Sequence, residues 1–198
     1  AKLSHPRQDA KKGKVQKYET PVGNGSRAYL PAIPSDIRRL IGDRYGVEVP
    51  LFGSFWKWIE AHPEIPMVPT EGGKKALALL SQGFVPLAFY GVNGGYQKLL
   101  DGTRRLSQDA ARFAANGRRF VLAFDQDEKE ATKRRVSVAL YRFGGLLHQA
   151  GSPTSVASWK ATQGKGVDDL IVQGGAADWE TAYVQALPLQ HWMIWQRL

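Results

Sequence analysis

The sequence predicts an α/β fold in which a mainly parallel sheet is flanked by helices. From residue 67 onward, short apolar segments alternate with amphipathic ones, which is the pattern of parallel strands linked by helices. Val136, Leu140, Phe143 and Leu147 recur at helical spacing and describe one buried stripe. With 198 residues, of which 43% are apolar, the chain is long enough to bury the core of one domain.

The predicted α/β domain covers residues 67–187 and begins with the strand "MVPT" at Met67. Further strands are expected at "VPLAFYG", "RFVLAF" and "TSVASW", and helices over 74–82, near 103–115, over 128–149 and from about Ala176. A C-terminal helix is expected over 188–198. No internal repeat is evident.

Two regions of different amino-acid composition precede this domain. Residues 18–66 contain six prolines, with short helices expected from Asp36 to about Asp43 and around Phe55 to Ala61, and we interpret them as an irregular N-terminal cap. Residues 1–17 hold six Lys or Arg and one Asp, with little apolar content. This composition predicts a flexible basic arm. It is either a solvated tail, or the cut edge of a larger protein, or an arm that contacts phosphates.

Composition also limits the function. The chain has no cysteine, which excludes disulfides, thiol catalysis and cysteine-ligated zinc. No apolar run approaches the ~20 residues of a membrane span, and no P-loop is present, so we expect a cytoplasmic protein without its own NTP-hydrolysing motor. The formal charge of +9, from 27 Lys and Arg against 18 Asp and Glu, favours a polyanionic partner, with nucleic acid as the first candidate.

Carboxylates follow three of the predicted elements, where a parallel sheet gathers its ligands. Glu71 follows "MVPT", Asp125 and Asp127 follow "RFVLAF", and Asp168 and Asp169 lie beyond "TSVASW". Two carboxylates 4 Å apart repel by roughly 4 kcal/mol at an effective dielectric near 20, so such a cluster favours a bound cation. Oxygen ligands without cysteine or paired histidine favour Mg²⁺ or Mn²⁺.

Each acid also has a simpler interpretation. Acidic residues after strands often cap the next helix, which Asp127 before "EKEATKRR" could do unaided. The order and spacing of the three segments together favour the metal site.

The same residues resemble the TOPRIM domain of bacterial-type primases, topoisomerases and some nucleases. The resemblance rests on Glu71-Gly72 after a first strand, on Gly91 at the end of a second, and on Asp125-x-Asp127 after a third. It is closest to primases and to the TOPRIM-like domains of plasmid and phage replication proteins. It implies a Rossmann-like TOPRIM fold, a glutamate for acid/base or metal chemistry, and Mg²⁺ held by the aspartate pair.

The resemblance is incomplete near residue 166. "KGVDDLI" is similar to the primase pattern Lys-Asp-Pro-Asp-Glu, but Gly166 and Val167 replace its first aspartate and its proline. Asp168 and Asp169 remain as candidate metal ligands, and a possible second metal site loses a ligand.

Several residues around these acids are candidates for binding phosphate. Gly72 and Gly73 keep side chains away from substrate and metal. Lys74 and Lys75 open the next helix, where lysines oppose the helix dipole, so a phosphate role is one explanation and a solvated face is the other. Lys165 precedes Gly166 and is a further candidate.

Two classes of function remain open from the sequence. One is a Mg²⁺-dependent nucleotidyltransferase of the primase kind that uses nucleoside triphosphates on single-stranded or primed nucleic acid, with nuclease chemistry as its close neighbour. The other is a non-catalytic nucleic-acid-binding module with a degenerate acid cluster. The primase interpretation places the protein in DNA replication of a plasmid, phage or mobile element, with any helicase partner elsewhere in a parent protein.

Overall fold

The computed structural model of the protein describes residues 2–8, 15–18 and 26–196, with side chains described over 26–196. The backbone of the N-terminal segments forms two antiparallel strands, β1 (Lys2–Gln8) and β2 (Val15–Tyr18). The basic arm predicted over 1–17 is therefore paired into strands where the structure describes it. Residues 9–14 of that prediction lie outside the described residues.

The centre of the molecule is a six-stranded sheet, and the expected mainly parallel sheet is confirmed. Its order is β10-β9-β8-β4-β5-β3, in which the four inner strands are parallel and the two edge strands antiparallel. The strands are β3 (Ala28–Tyr29), β4 (Met67–Glu71), β5 (Val85–Phe89), β8 (Phe120–Leu122), β9 (Thr154–Val156) and β10 (Leu187–Pro188).

Eight α-helices surround this sheet among the described residues. They are α1 (Ser35–Tyr45), α2 (Phe55–Ala61), α3 (Gly73–Leu80), α4 (Gln108–Phe113), α5 (Glu130–Gln149), α6 (Val167–Gly174), α7 (Ala176–Val184) and α8 (Leu189–Trp195). The long helix is confirmed as α5, and all four residues of its predicted stripe are buried. Within the described part of the chain, no helix combines the length and apolar character of a membrane span.

Both faces of the sheet are covered, which explains why its inner strands are almost continuously apolar. Successive residues of β8 alternate between two core clusters. Phe120 and Leu122 pack into the cluster that contains α1, α2 and α5, whereas Val121 packs into the one formed with α3, α6 and α7. The period of two along each strand thus divides the core into two layers.

The helix predicted near 103–115 is shorter than expected. The structure has an antiparallel hairpin, β6 (Tyr96–Lys98) and β7 (Arg104–Leu106), and α4 begins only at Gln108. Asp101 makes the turn, because its Oδ1 accepts from the backbone N–H and the hydroxyl of Thr103, at 2.9 and 2.6 Å. Gly102 follows it with a φ of 85°, which few other residues adopt.

The cap contains both predicted helices, α1 and α2, and is joined to the sheet through buried arginines. Arg118, just before β8, donates to the carbonyls of Ile59, His62, Ile65 and Phe113. These bonds tie the end of α2 to the end of α4, and they fix the chain that enters β4 and β8.

Candidate functional site at the carboxyl edge of the sheet

Glu71 and Asp125 lie at the same edge of the sheet, as the sequence predicted. Glu71 is the last residue of β4, and Asp125 comes three residues after the end of β8, its parallel neighbour. Both line one cavity of about 650 Å³. The two strands therefore bring their carboxylates to one place, which we call the carboxyl edge.

The cavity is also lined by basic residues, of which Lys165 was predicted and Arg135 was missed in the sequence. It contains Arg135 from α5 and Lys165 from the loop before α6, and the loop 90–94 closes one side. Arg135 is adjacent to Val136 of the predicted buried stripe, and Thr132 lies one turn earlier on the same face. The sequence signal for this part of the cavity was the spacing of residues 132, 135 and 136. Residues at this spacing share one face of a helix, and here that face lies at the end of the sheet.

Electrostatics distinguish Glu71 from an ordinary surface acid. Burial raises the pKa of its carboxyl above the ordinary value, and the nearby Asp125 carboxylate raises it further. Lys75, Arg135 and Lys165 oppose this rise without cancelling it. The surroundings of the Glu71 carboxyl therefore favour a bound proton or cation more than water does.

Asp127 is bonded elsewhere. Its Oδ1 accepts from the Lys129 backbone N–H at 2.9 Å, just before α5 begins, and its Oδ2 lies 2.9 Å from Lys165 Nζ. The Lys129 N–H and then Lys165 hold the pKa of this carboxyl below its ordinary value. Asp127 therefore holds the turn just before α5, but it is not the helix N-cap that the sequence suggested, because the N-cap is Lys129 and no side chain caps this helix.

Asp168 and Asp169 are in the first turn of α6, a helix that was not among those expected from the sequence. Asp169 Oδ2 accepts from the Gly166 backbone N–H at 3.2 Å and so caps the helix. Asp168 differs, because its Oδ1 is buried without a hydrogen-bond partner in the described structure. Of the two residues, Asp168 thus has the buried carboxylate oxygen that lacks a hydrogen bond in the described structure.

The glycines and lysines after β4 have separate roles. Gly72 has a φ of 91°, which favours glycine, and its N–H donates to Phe89 O at 2.9 Å. Gly73 opens α3 against the ring of Tyr29. Lys74 is exposed, whereas Lys75 turns inward and places Nζ 3.0 Å from Asp125 Oδ1.

Lys165 joins the segments that carry the aspartates. Its carbonyl accepts from the Gln126 backbone N–H at 2.8 Å, so the loop after β8 and the loop before α6 are held side by side. Its side chain is 59% exposed and pairs with Asp127. The ammonium group is thus accessible to a phosphate that enters the cavity.

The five predicted metal ligands do not form one group. Over residues 26–196, no set of three or more His, Cys, Asp or Glu side chains is arranged to hold a metal ion. The carboxyl edge still fits Mg²⁺ in a more modest form, because Mg²⁺ is commonly held by one or two carboxylates together with water and substrate phosphates. Glu71 and Asp125 supply the two carboxylates, and Asp125 Oδ1 is buried without a hydrogen bond.

Comparison with known proteins places the chain in a family. The model of a domain of unknown function, DUF3854, matches residues 55–178, which is more than half of the chain. The chain belongs to the DUF3854 family. The DUF3854 match begins at Phe55, so it includes helix α2 of the cap as well as the acids of the carboxyl edge.

One relative is a much longer protein than this chain. The protein is 36% identical over 199 residues to an uncharacterized protein of Picosynechococcus sp. (strain ATCC 27264 / PCC 7002 / PR-6). The alignment covers 96% of this chain and 20% of that protein. The chain therefore spans about a fifth of the length of the curated relative it matches.

Proposed function

We propose that the carboxyl edge is a Mg²⁺-dependent nucleotidyl-transfer site of the primase kind, in a TOPRIM-like domain that acts on nucleic acid in the cytoplasm. One observation carries the proposal: Glu71 and Asp125 come from neighbouring parallel strands and share a cavity with Arg135 and Lys165. Acidic groups for a cation and basic groups for phosphate thus line one space, which is the arrangement that phosphoryl transfer needs.

The chain's own residues divide the work in this proposal. Glu71 and Asp125 would hold Mg²⁺, which when bound neutralises phosphate charge and activates the attacking hydroxyl. Arg135 and Lys165 would orient the triphosphate through charge-assisted hydrogen bonds. The resemblance gives Glu71 acid/base or metal chemistry. In the first role it would accept the proton of a primer 3′-hydroxyl at its carboxylate oxygen, and Asp125 would then be the ligand that holds the cation.

The proposed substrates follow from charge. The net charge of +9 suits a single-stranded or primed nucleic acid bound mainly through its phosphates, and nucleoside triphosphates carry the same chemistry into the cavity. Replication of a plasmid, phage or mobile element, with a helicase elsewhere in a parent protein, stays a prediction from the resemblance.

The ion pairs of two lysines favour a second function, that of a non-catalytic nucleic-acid-binding module. Lys75 and Lys165 pair with Asp125 and Asp127, and no three-carboxylate group is present over residues 26–196. A domain in which lysines permanently neutralise the acids would bind nucleic acid without catalysis. Strand cleavage in place of synthesis is the nuclease alternative within the first proposal.

Labelled ribonucleotides, a single-stranded template and Mg²⁺ or Mn²⁺ test the proposal, with a strand-cleavage assay in parallel. We expect Asp125→Asn to lower metal affinity and incorporation together, by about a hundredfold or more for loss of a group that stabilises transition-state charge, while nucleic-acid binding survives. Asp127→Asn is the matched control, since Asp127 is bonded to Lys129 and Lys165.

Each outcome separates the alternatives. Equal loss in Asp127→Asn would mean that Asp127 moves into the metal site, as the resemblance implies. A wild-type chain with neither synthesis nor cleavage, whose Mn²⁺ affinity is unchanged by Asp125→Asn, would leave the binding module as the function.

A further inference from the structure

Lys75 occupies an unusual place for a lysine near the start of a helix. It is the third residue of α3, and its side chain is only 16% exposed, against 59% for Lys165. Its Nζ lies 3.0 Å from Asp125 Oδ1, yet the angles do not make a hydrogen bond, so this buried oxygen has no donor in the described structure. The contact is a charge interaction without directed bonding, which a more strongly bound cation could replace.

Gly166 shows what Lys75 displaces. A Cβ on Gly166 would collide with Lys75 Cε and with Asp168 Oδ1, and would lie 3.2 Å from Lys75 Nζ. The φ of Gly166 is −105°, so space rather than backbone conformation excludes a side chain here. Gly166 is the position at which the primase pattern has an aspartate, and the lysine side chain fills the room that an aspartate would need.

Asp168 lies near the same lysine but is not paired with it. Its Oδ1 is buried without a hydrogen-bond partner among the described residues, and it lies next to the place that a Cβ on Gly166 would take, as Lys75 Cε does. In the described part of the chain, Lys75 forms its ion pair with Asp125. The ammonium group therefore neutralises Asp125, and Asp168 adds a second negative charge nearby.

We propose that Lys75 is the built-in counter-cation of Asp125 and competes with a divalent cation for this carboxylate. The competing cation is taken from the proposed function, whereas the lysine itself is placed by the contacts above. A divalent ion binds at Asp125 only when the ammonium group leaves, and a phosphate in the cavity offers that group another anionic partner. Lys75 thereby keeps the empty site neutral and weakens metal binding until phosphate arrives.

Mn²⁺ titration, followed by the electron paramagnetic resonance signal of the free ion, tests this competition. Lys75→Met should bind Mn²⁺ about tenfold more tightly or better, because it removes a like charge within a few ångströms of the metal. Lys74→Met removes the same charge from the exposed neighbour on the same helix and should change the affinity far less.

Gly166→Ala gives a second route that keeps the lysine. The added methyl would push the Lys75 side chain from its place, since the colliding atoms are the ends of flexible side chains. We expect Mn²⁺ affinity between those of the wild type and Lys75→Met. Circular dichroism melting of each variant identifies one that does not fold, and the other variant then decides the outcome.

The possible results separate this inference from the proposed function. Tight Mn²⁺ binding by Lys75→Met with none by the wild type supports the competition. If the wild type still binds no Mn²⁺ when inorganic phosphate is added, the metal-dependent function of the wild type is overturned. Equal binding by the wild type, Lys75→Met and Lys74→Met overturns the competition and leaves the proposed function intact. If no variant binds Mn²⁺, both fail, because the lysine is then not what excludes the metal.

Discussion

Arg118 at the junction of the cap with β8 and Asp125 at the carboxyl edge are both charged and largely withdrawn from solvent, yet their surroundings differ. Arg118 is 1% exposed and donates to four carbonyls, at 3.0 Å to Phe113, 3.1 Å to His62, 2.6 Å to Ile65 and 2.5 Å to Ile59. Asp125 Oδ1 has a lysine at 3.0 Å but no hydrogen bond.

The comparison shows how to distinguish structural from functional charge in this protein. A buried charged side chain that is fully hydrogen-bonded stabilises one conformation. A buried oxygen that lacks a hydrogen bond marks a position where a bound ligand adds the most favourable interaction. Burial lowers the pKa of Arg118 to about 10, which still leaves it charged at neutral pH. A substitution at Arg118 should therefore lower the free energy of unfolding, whereas a substitution at the carboxyl edge should change ligand binding.

The largest effect on stability is expected from Arg118→Met. The change removes a donor from four carbonyls. Ile59 and His62 keep a backbone N–H donor each, whereas Ile65 and Phe113 lose the donor that Arg118 supplies. We expect a loss on the order of 4 kcal/mol in the free energy of unfolding. Urea unfolding measures it, with Arg39→Met on the exposed face of α1 as the matched control. A loss no greater than that of the control would show that Arg118 is not what joins the cap to the sheet.

Asp109→Asn should be the next in size. Asp109 is 2% exposed and accepts from Arg27 Nε at 2.8 Å, Arg27 Nη2 at 3.0 Å and the Ala28 backbone N–H at 2.8 Å. Because an amide replaces one acceptor by a donor, we expect a loss of about 2 kcal/mol in unfolding free energy. The exposed Asp43→Asn serves as control in the same experiment, and equal midpoints for the two variants would refute a role in anchoring β3.

The smallest changes should come from the carboxyl edge, and they should have opposite signs at Glu71 and Asp127. The raised pKa of Glu71 makes the wild type lose stability as pH rises above the ordinary value of 4.5. Glu71→Gln removes this loss of stability, so the variant should be more stable than the wild type at pH 7. The difference should disappear below pH 4.5.

Asp127→Asn should behave in the reverse way. The lowered pKa of Asp127 contributes stability above its ordinary value of 3.8, and this contribution is lost as the pH falls through the folded-state pKa. The variant should thus be less stable than the wild type at pH 7 and approach it in acid. Urea midpoints of both variants between neutral and acidic pH check the signs, and a shared sign would contradict the different roles assigned to the two acids.

The sequence was sufficient to predict the helices and strands that a local pattern of apolar residues identifies. The stripe from Val136 to Leu147 identified α5, and the apolar runs before Glu71 and Asp125 identified two strands of the parallel sheet, which the structure shows to be neighbours. The hairpin at Asp101 was missed because its turn depends on side-chain bonds to Thr103 within a segment that otherwise has helical composition.

The site was predicted in position but not in detail. The ends of the strands placed Glu71 and Asp125 correctly, since that follows from topology. The pairing of Asp127 with Lys165, and of Lys75 with Asp125, depends on how side chains from distant segments turn toward or away from the cavity. No local pattern encodes that choice, so the sequence supported five ligands where the structure brings two into one cavity.

Diffraction at the manganese absorption edge from crystals soaked in Mn²⁺ tests the central claim most directly. The account predicts an anomalous peak at the carboxyl edge, coordinated by Glu71 and Asp125 at about 2.0–2.2 Å, the range of hard-cation carboxylate bonds. It also predicts that Lys75 Nζ has moved away from Asp125 Oδ1. Mn²⁺ bound at another place, with Lys75 still against Asp125, would contradict the claim.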